Sequence, residues 1–308
     1  MMFIIKYKKI FISISLGLVV LSLISIFSFG LNAGIDFKGG AITEVVYTLG
    51  RPKQADLLVN LESLNLGNIL LQPTEEKGYI IKSRDLSESE HIALLEALSS
   101  DGQSAQGAGS RELAEISFNS IGPSAGSELA RKAIVAVCLV ALAIILFIAF
   151  SFRRVSRPIS SWKYGLIAVG TLLHDVIIPT GIFAALSYYY GAEMDSLFVV
   201  AILTILGLSV SDTIVIFDRI RENLKIEGNA NKIDFGEIVG RSLEQSFTRS
   251  VATSMTVILV LLALVFFGPT TTRYFAILLA TGMIVGTYSS IFLASPLLVF
   301  WEEWQRKS

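Results

Sequence analysis

The chain has 308 residues, of which 53% are hydrophobic and 17% charged, with a formal net charge of −1 and a mean hydropathy of +0.64. Soluble globular chains hold about 45–50% apolar and about 25% charged residues, so this composition excludes an ordinary soluble domain and points to lipid. A single cysteine, Cys138 in an apolar run, excludes an internal disulfide, and two histidines, His91 and His174, cannot build a Cys/His metal cluster. No GxxxxGK[ST] segment is present, which argues against nucleotide hydrolysis.

In chain order, Lys6, Lys8 and Lys9 precede a first apolar span at about Ile10–Gly30. It is longer than the apolar core of a secretory signal and lacks a small-x-small cleavage site before Asp36, so it reads as an uncleaved anchor. Gly34, Gly39 and Gly40 follow a span instead of a strand and do not form a GxGxxG loop; they read as a tight turn leaving the bilayer. The next stretch alternates in period. Ala41–Leu49 suits a strand, Lys53–Asn65 repeats Leu at helical spacing, Ile69–Gln72 and Tyr79–Lys82 flank a turn-like Pro73–Gly78, Glu88–Leu98 is amphipathic, and Ala114–Asn119 alternates again. Strand, helix, two strands, helix, strand is the ferredoxin-like order. The Gly, Ser, Ala and Gln run Gly102–Ser110 reads as a mobile connection inside this domain.

Five further spans follow, at about Ala133–Phe152, Tyr164–Tyr190, Leu197–Phe217, Val251–Phe267 and Phe275–Trp301, each near or above the roughly 20 apolar residues that cross a bilayer. Lys and Arg set the orientation. They cluster at the N-terminus, between spans two and three (Arg153, Arg154, Arg157, Lys163), between spans four and five (Arg219, Arg221, Lys225, Lys232, Arg241) and at the C-terminus (Arg306, Lys307). With six spans these four segments share one side, which is therefore cytoplasmic, as are both termini. The region Asp36–Glu128 on the other side holds fourteen acidic and seven basic residues. The predicted fold is an α-helical integral membrane protein with six transmembrane helices and a small external α+β, ferredoxin-like domain. Its parts are residues 1–32 (N-terminus and first span), 33–130 (external domain) and 131–308 (five spans, with a cytoplasmic loop at about 218–248).

An ionisable group at bilayer depth costs at least about 2.5–3.5 kcal/mol, so each one needs a reason. His174 and Asp175 fall near the middle of span three, Asp212 lies in span four within Gly207-Leu-Ser-Val-Ser-Asp-Thr213, and Arg249 opens span five. Spans four and five are consecutive and antiparallel, so Asp212 and Arg249 are expected to pair. Two readings fit that pair: a proton-carrying carboxylate tuned by a nearby cation, or a static ion pair that fixes packing. Asp175 beside His174 admits the same two readings, with His174 as an orienting residue. Asp218, Arg219 and Arg221 end span four as a charged helix terminus. Gly282 and Gly286, continued by Ser289, Ser290 and Ala294, form a small face suited to close helix packing, and Trp162, Trp301 and Trp304 read as interfacial anchors.

Several of these segments resemble one family. Gly34-Ile-Asp-Phe-Lys-Gly-Gly40, including Asp36, is similar to the G-[IL]-D-F-x-G-G signature of the SecD/SecF protein-export family. Gly122-Pro123 with Gly126 and Glu128-Leu129 resembles the family's segment before span two, and His174-Asp175-Val176 its H-D-V in span three. Ser211-Asp212-Thr213-Ile-Val-Ile-Phe-Asp218-Arg219-Ile-Arg-Glu-Asn223 resembles its long span-four motif. The resemblance implies half of a transporter of the resistance-nodulation-division superfamily, not an enzyme, in the bacterial inner membrane. Its implied partners are SecD, the SecYEG channel, YajC, membrane lipid and the translocating unfolded polypeptide, with no nucleic acid. It implies no cofactor or metal, the proton gradient being the energy source for late steps of export. The family's intramembrane acid maps onto Asp212 and its basic partner onto Arg249, although Glu244-Gln-Ser-Phe-Thr-Arg249 is a loose version of that segment. Asp175 joins them as a third coupling residue, with His174, Ser211, Thr213, Asp218 and Arg219 in support. Two rivals remain on sequence: a small-molecule efflux half, against which the small external domain counts, and an assembly factor that moves no proton.

Overall fold

A computed structural model of the chain describes residues 1–74, 77–100, 112–151, 160–227 and 234–307. The chain separates into two compact units, residues 33–134 and residues 1–32 with 135–308. The expected connection at 102–110 and the basic residues Arg153, Arg154, Arg157 and Lys232 lie outside the described residues.

The elements are helices α1 (Met2–Lys6), α2 (Lys8–Phe29) and α3 (Ile35–Lys38), strand β1 (Gly40–Tyr47), helix α4 (Gln54–Glu62), strands β2 (Leu70–Thr74) and β3 (Gly78–Ser83), helix α5 (Glu88–Ser99), strand β4 (Leu113–Ile121), then helices α6 (Pro123–Ser151), α7 (Ser161–Tyr190), α8 (Ser196–Glu227), α9 (Phe235–Phe267) and α10 (Thr270–Ser289), a π-helical turn at Ser290–Ala294, and α11 (Ser295–Lys307). Among the described residues, six helical stretches are long and apolar enough to cross a membrane: α2, α6, α7, α8, α9 and the continuous run from α10 through α11.

In the smaller unit the four strands pair antiparallel in the order β2-β3-β1-β4. Period-two alternation on β1 sends Ala41, Val45 and Tyr47 to one face, where they meet Leu57 and Leu61 of α4 and Leu94 and Leu98 of α5 in one buried core. Pro73, expected in the turn, lies within β2. It is tolerated there because β2 is an edge strand with one side free of ladder bonds. The paired glycines have a steric reason here. Gly39 has φ +80°, and a Cβ on it would lie 2.8 Å from Cα of Pro123. A Cβ on Gly126, one turn into α6, would lie 2.8 Å from N of Gly39. The two glycine-containing segments, some eighty residues apart in sequence, are thus the two sides of one backbone contact.

In the larger unit the ends of spans four and five differ from expectation. The sequence suggested a loop at about 218–248, but α8 continues to Glu227 and α9 starts at Phe235. Charged side chains at helical spacing support these extensions, with Arg219 on Glu222, Arg221 on Asp218 and Arg241 near Glu237. Their inner faces are apolar and buried through Phe217 and Ile220 of α8 and Phe235, Val239 and Leu243 of α9. Buried Asn223 ties the two together by donating to Oγ of Ser242 (2.8 Å) and Oε1 of Gln245 (3.0 Å). Hydropathy marks only the lipid-crossing part of such helices, which is why the sequence ended them early. Trp162 and Trp301 meet edge to face at 5.9 Å, with the Lys163 ammonium over both rings.

Candidate functional site

The last span packs on span four through its glycines. A Cβ on Gly282 would sit 2.3 Å from Cδ1 of Ile205, and one on Gly286 would sit 3.2 Å from Cβ of Ser209. Glycine at two positions four apart therefore lets the α10 and α8 backbones approach closely, and it brings the polar groups of α7, α8, α9 and α10 together inside an apolar bundle.

Asp175 on α7 is fully buried. Its Oδ2 accepts hydrogen bonds from Oγ of Ser209 on α8 and Oγ of Ser289 on α10 (2.7 Å), while Oδ1 lies 2.7 Å from Nδ1 of His174. Nδ1 of His174 therefore faces the carboxyl, and Nε2 is the ring nitrogen turned away from it. Nε2 is buried without a hydrogen-bond partner among the described residues, and the ring lies along Tyr288 at 6.5 Å. Two helix irregularities flank this cluster. Pro179, four residues after Asp175, has no N–H for the Asp175 carbonyl. The π-helical turn at Ser290–Ala294 begins next to Ser289, and Pro296 just beyond it donates no N–H into that turn.

Asp212, one turn along α8 from Ser209, is partly buried. The expected ion pair with Arg249 is not formed. What faces Asp212 is Ser254 of α9, whose Oγ donates to Oδ2 at 3.3 Å, and Oγ1 of Thr287 on α10 donates to Ser254 at 2.6 Å. Arg249 is exposed and lines a cleft of about 130 Å³ with Asp218, Arg219, Glu222 and Gln245. On this outer face its charge reaches Asp212 only across a longer gap, without a direct contact.

The other anticipated residues divide. Thr213 points inward, with Oγ1 2.8 Å from Oγ of Ser290 in the π turn. Ser211 is exposed on the opposite face of α8, and Asp218 and Arg219 form surface pairs with their own helix. In the smaller unit, Gly39 and Gly40 occupy positive φ, while Gly34 caps α3 in an extended conformation and Asp36 lies in its first turn. Ser209, Ser254 and Thr287 were not singled out by the sequence, and Ser289 and Ser290 entered only as small packing residues. Hydroxyls on the helix faces turned toward a buried acid were the available signal. Among the described residues no group of three His, Cys, Asp or Glu side chains is placed to hold a metal.

Six apolar helices around a buried set of carboxyls, hydroxyls and one imidazole define a multi-pass membrane protein with an ionisable centre. The chain belongs to the SecD/SecF family of protein export membrane proteins. The family model described as "Protein export membrane protein SecD/SecF, C-terminal" matches residues 102–304, and the "SecD/SecF GG Motif" matches residues 24–48. The chain is 41% identical to the protein translocase subunit SecF of Thermobaculum terrenum, covering 97% of this chain and 93% of that one. It is 35% identical to the subunit of the same name from Anaerolinea thermophila, over 97% and 94% of the two chains. The crystal structure of SecDF, a translocon-associated membrane protein from Thermus thermophilus, superposes with a TM-score of 0.78 at 29% identity, covering 97% of this chain. This chain spans 38% of the length of that structure.

Proposed function

We propose that the chain is a subunit of the Sec protein-export complex that works with SecD and uses the proton gradient to promote late steps of polypeptide translocation through SecYEG. The similarity to translocase subunits and to a SecDF structure supports the export role and the SecD partnership. In this reading the protein is not an enzyme, needs no cofactor, and sits in the bacterial inner membrane with both termini cytoplasmic and YajC as an accessory partner. Residues 33–130 form an external ferredoxin-like domain, consistent with the βαββαβ order, that meets the emerging chain.

The observation that carries proton coupling is what surrounds Asp212. A carboxylate locked against a guanidinium is held in one charge state. A hydroxyl can donate to a carboxylate or accept from a carboxylic acid, so it serves both states. Thr287 has one hydroxyl hydrogen and two acceptors in reach, Ser254 at 2.6 Å and the Met283 carbonyl at 2.8 Å. With Asp212 ionised, Thr287 donates to Ser254, which donates to the carboxylate. With Asp212 protonated the chain reverses and ends on the Met283 carbonyl, with no hydrogen bond lost. One charge moved across 100 mV is worth about 2.3 kcal/mol, enough to drive a conformational step.

The test is export through reconstituted SecYEG and SecD under an imposed proton gradient, comparing the wild type with Asp212→Asn. Gradient-driven acceleration of the late stage only in the wild type supports coupling. Equal acceleration in both proteins makes Asp212 a packing residue and the chain an assembly factor.

A further inference from the structure

We propose that Asp175 is a second proton-exchanging carboxyl and that Ser289 is the hydroxyl that lets it hold either charge state. The role such a site plays in transport rests on the proton-coupled reading above; its existence is argued from geometry alone.

A fully buried carboxylate is tolerated only when its lone pairs are met, and Asp175 has three donors, from His174, Ser209 and Ser289. That count alone describes a static tie between helices. What separates this cluster from a tie is the second acceptor available to Ser289. Its single hydroxyl hydrogen lies within reach of Oδ2 of Asp175 at 2.7 Å and of the Gly286 carbonyl at 3.0 Å. When Asp175 is ionised, Ser289 donates to it. When a proton arrives at Oδ2, the new O–H donates to Oγ of Ser289, and Ser289 turns its own hydrogen to the Gly286 carbonyl. That carbonyl also accepts the Ser290 N–H, and Oγ of Ser290, 3.0 Å from it, turns to Oγ1 of Thr213 at 2.8 Å, which leaves a lone pair for Ser289. The bond to Ser209 and the bond from Nδ1 of His174 stay in place, so the proton is gained or lost with no buried polar group orphaned.

The arrangement repeats the one at Asp212. In both, a hydroxyl of α10 faces the acid or its serine on one side and a backbone carbonyl of its own helix on the other. Ser209 and Asp212 are one turn apart on α8, so the hydroxyl that meets Asp175 and the Asp212 carboxyl lie on one face of that helix, beside the same segment of α10, Met283 to Ser290. Of the titratable groups on α7 and the elements packed against it, those nearest Asp175 are His174 beside it, Tyr288 along the His174 ring, and Asp212, one turn along α8 from Ser209. The others belong to helix ends, such as Lys8 and Lys9 of α2, Arg273 of α10, the charged tail of α8 and Glu302, Glu303 and Arg306 of α11. His174 is a positioning residue here, occupying Oδ1 so that the proton exchanges at Oδ2.

The experiment is pH-difference infrared spectroscopy of the full chain with its SecD partner in proteoliposomes, with carboxyl-labelled aspartate to mark the bands, over about pH 4 to 10. Two protonated-carboxyl bands are expected. One is lost in Asp175→Asn and kept in Asp212→Asn; the other behaves in the opposite way. Ser289→Ala keeps the Asp175 band but moves it to higher frequency, because the carboxyl loses a hydrogen bond. No band lost in Asp175→Asn, with the carboxylate signal constant across the range, overturns the proposal and leaves a structural tie. If Asp175→Asn does not fold, an unshifted spectrum in Ser289→Ala overturns it equally. An Asp175 band present while Asp212→Asn exports normally sinks the coupling reading and leaves this one standing. The band absent while Asp212→Asn abolishes gradient-driven export does the reverse.

Discussion

An acid inside a bilayer is useful to a transporter only if both of its charge states are tolerable, and the side chains around it decide that. At Asp212 the neighbour in hydrogen-bond reach is Ser254, at 3.3 Å, with Arg249 farther off. A hydrogen bond to a charged group contributes about 1.5–3 kcal/mol, and roughly 1.4 kcal/mol is tenfold in rate. Ser254→Ala should therefore slow gradient-stimulated export about tenfold, while export driven without the gradient keeps its rate and the assembled complex its yield. Ser254→Thr, which restores the hydroxyl, should recover most of the loss. An alanine variant with full gradient response would mean that Arg249 acts on Asp212 without the hydroxyl chain. Asp212 was legible in the sequence because one charge in an apolar run stands out against a cost of a few kcal/mol. Ser254, Thr287 and Ser209 were not, since serine and threonine are common in membrane helices. Whether a hydroxyl meets an acid depends on helix rotation, which periodicity alone leaves open.

Among the elements, α7 carries its interruption where it carries its acid. Pro179 removes the N–H that would bond the Asp175 carbonyl, and a proline inside a helix costs about 3 kcal/mol where nothing compensates. Pro179→Ala restores that bond. The expected outcome is a higher unfolding midpoint in detergent titration together with slower gradient-driven export, because the helix becomes stiffer beside its ionisable centre. A variant with both properties unchanged would show that the proline is neutral there. A second element-scale effect belongs to α5, which starts with a reciprocal cap between Ser87 and Glu90. Arg84, then the backbone and side chain of Ser87, hold the Glu90 carboxyl down at about 2, against an ordinary 4.5. A group lowered on folding stabilises the fold above its unfolded value and loses that contribution as pH falls through its folded value. Amide-exchange protection of the first turn of α5 should then decline between pH 4.5 and about 2, and Glu90→Gln should flatten that decline. The pair lies at the surface, in contact with solvent, so high salt should weaken the effect. The Ser87-x-x-Glu90 spacing of this cap stands in the sequence, although only the amphipathic run Glu88–Leu98 was read from it. The π turn at Ser290–Ala294 was not legible there, because it follows from backbone register around Pro296.

Across the whole chain the six spans are unequal. In the most apolar window of each, 61% of the last span's residues, 56% of α7's and 44% of α8's are buried within the chain, against 17% for α9, 11% for α2 and 6% for α6. Hydropathy showed all six and could not rank them, because lipid-facing and partner-facing apolar surfaces have the same composition. The ranking places both acids of the ionisable centre, Asp175 and Asp212, on well-buried spans, with α9 contributing only Ser254, and leaves few residues of α6 buried within the chain. The native Cys138 lies on α6, exposed, and is the only cysteine in the chain, so it is a probe that needs no engineering. In membranes holding this chain alone, a lipid-soluble maleimide should modify Cys138 and a water-soluble one should not, since α6 crosses the apolar layer there. Co-assembly with the proposed SecD half should protect it from the lipid-soluble reagent, because a second set of spans gives α6 the packing partner that its own chain does not. Equal labelling with and without SecD would instead mean that α6 faces lipid in the assembled complex, and the contact between the two halves would then have to run through other spans.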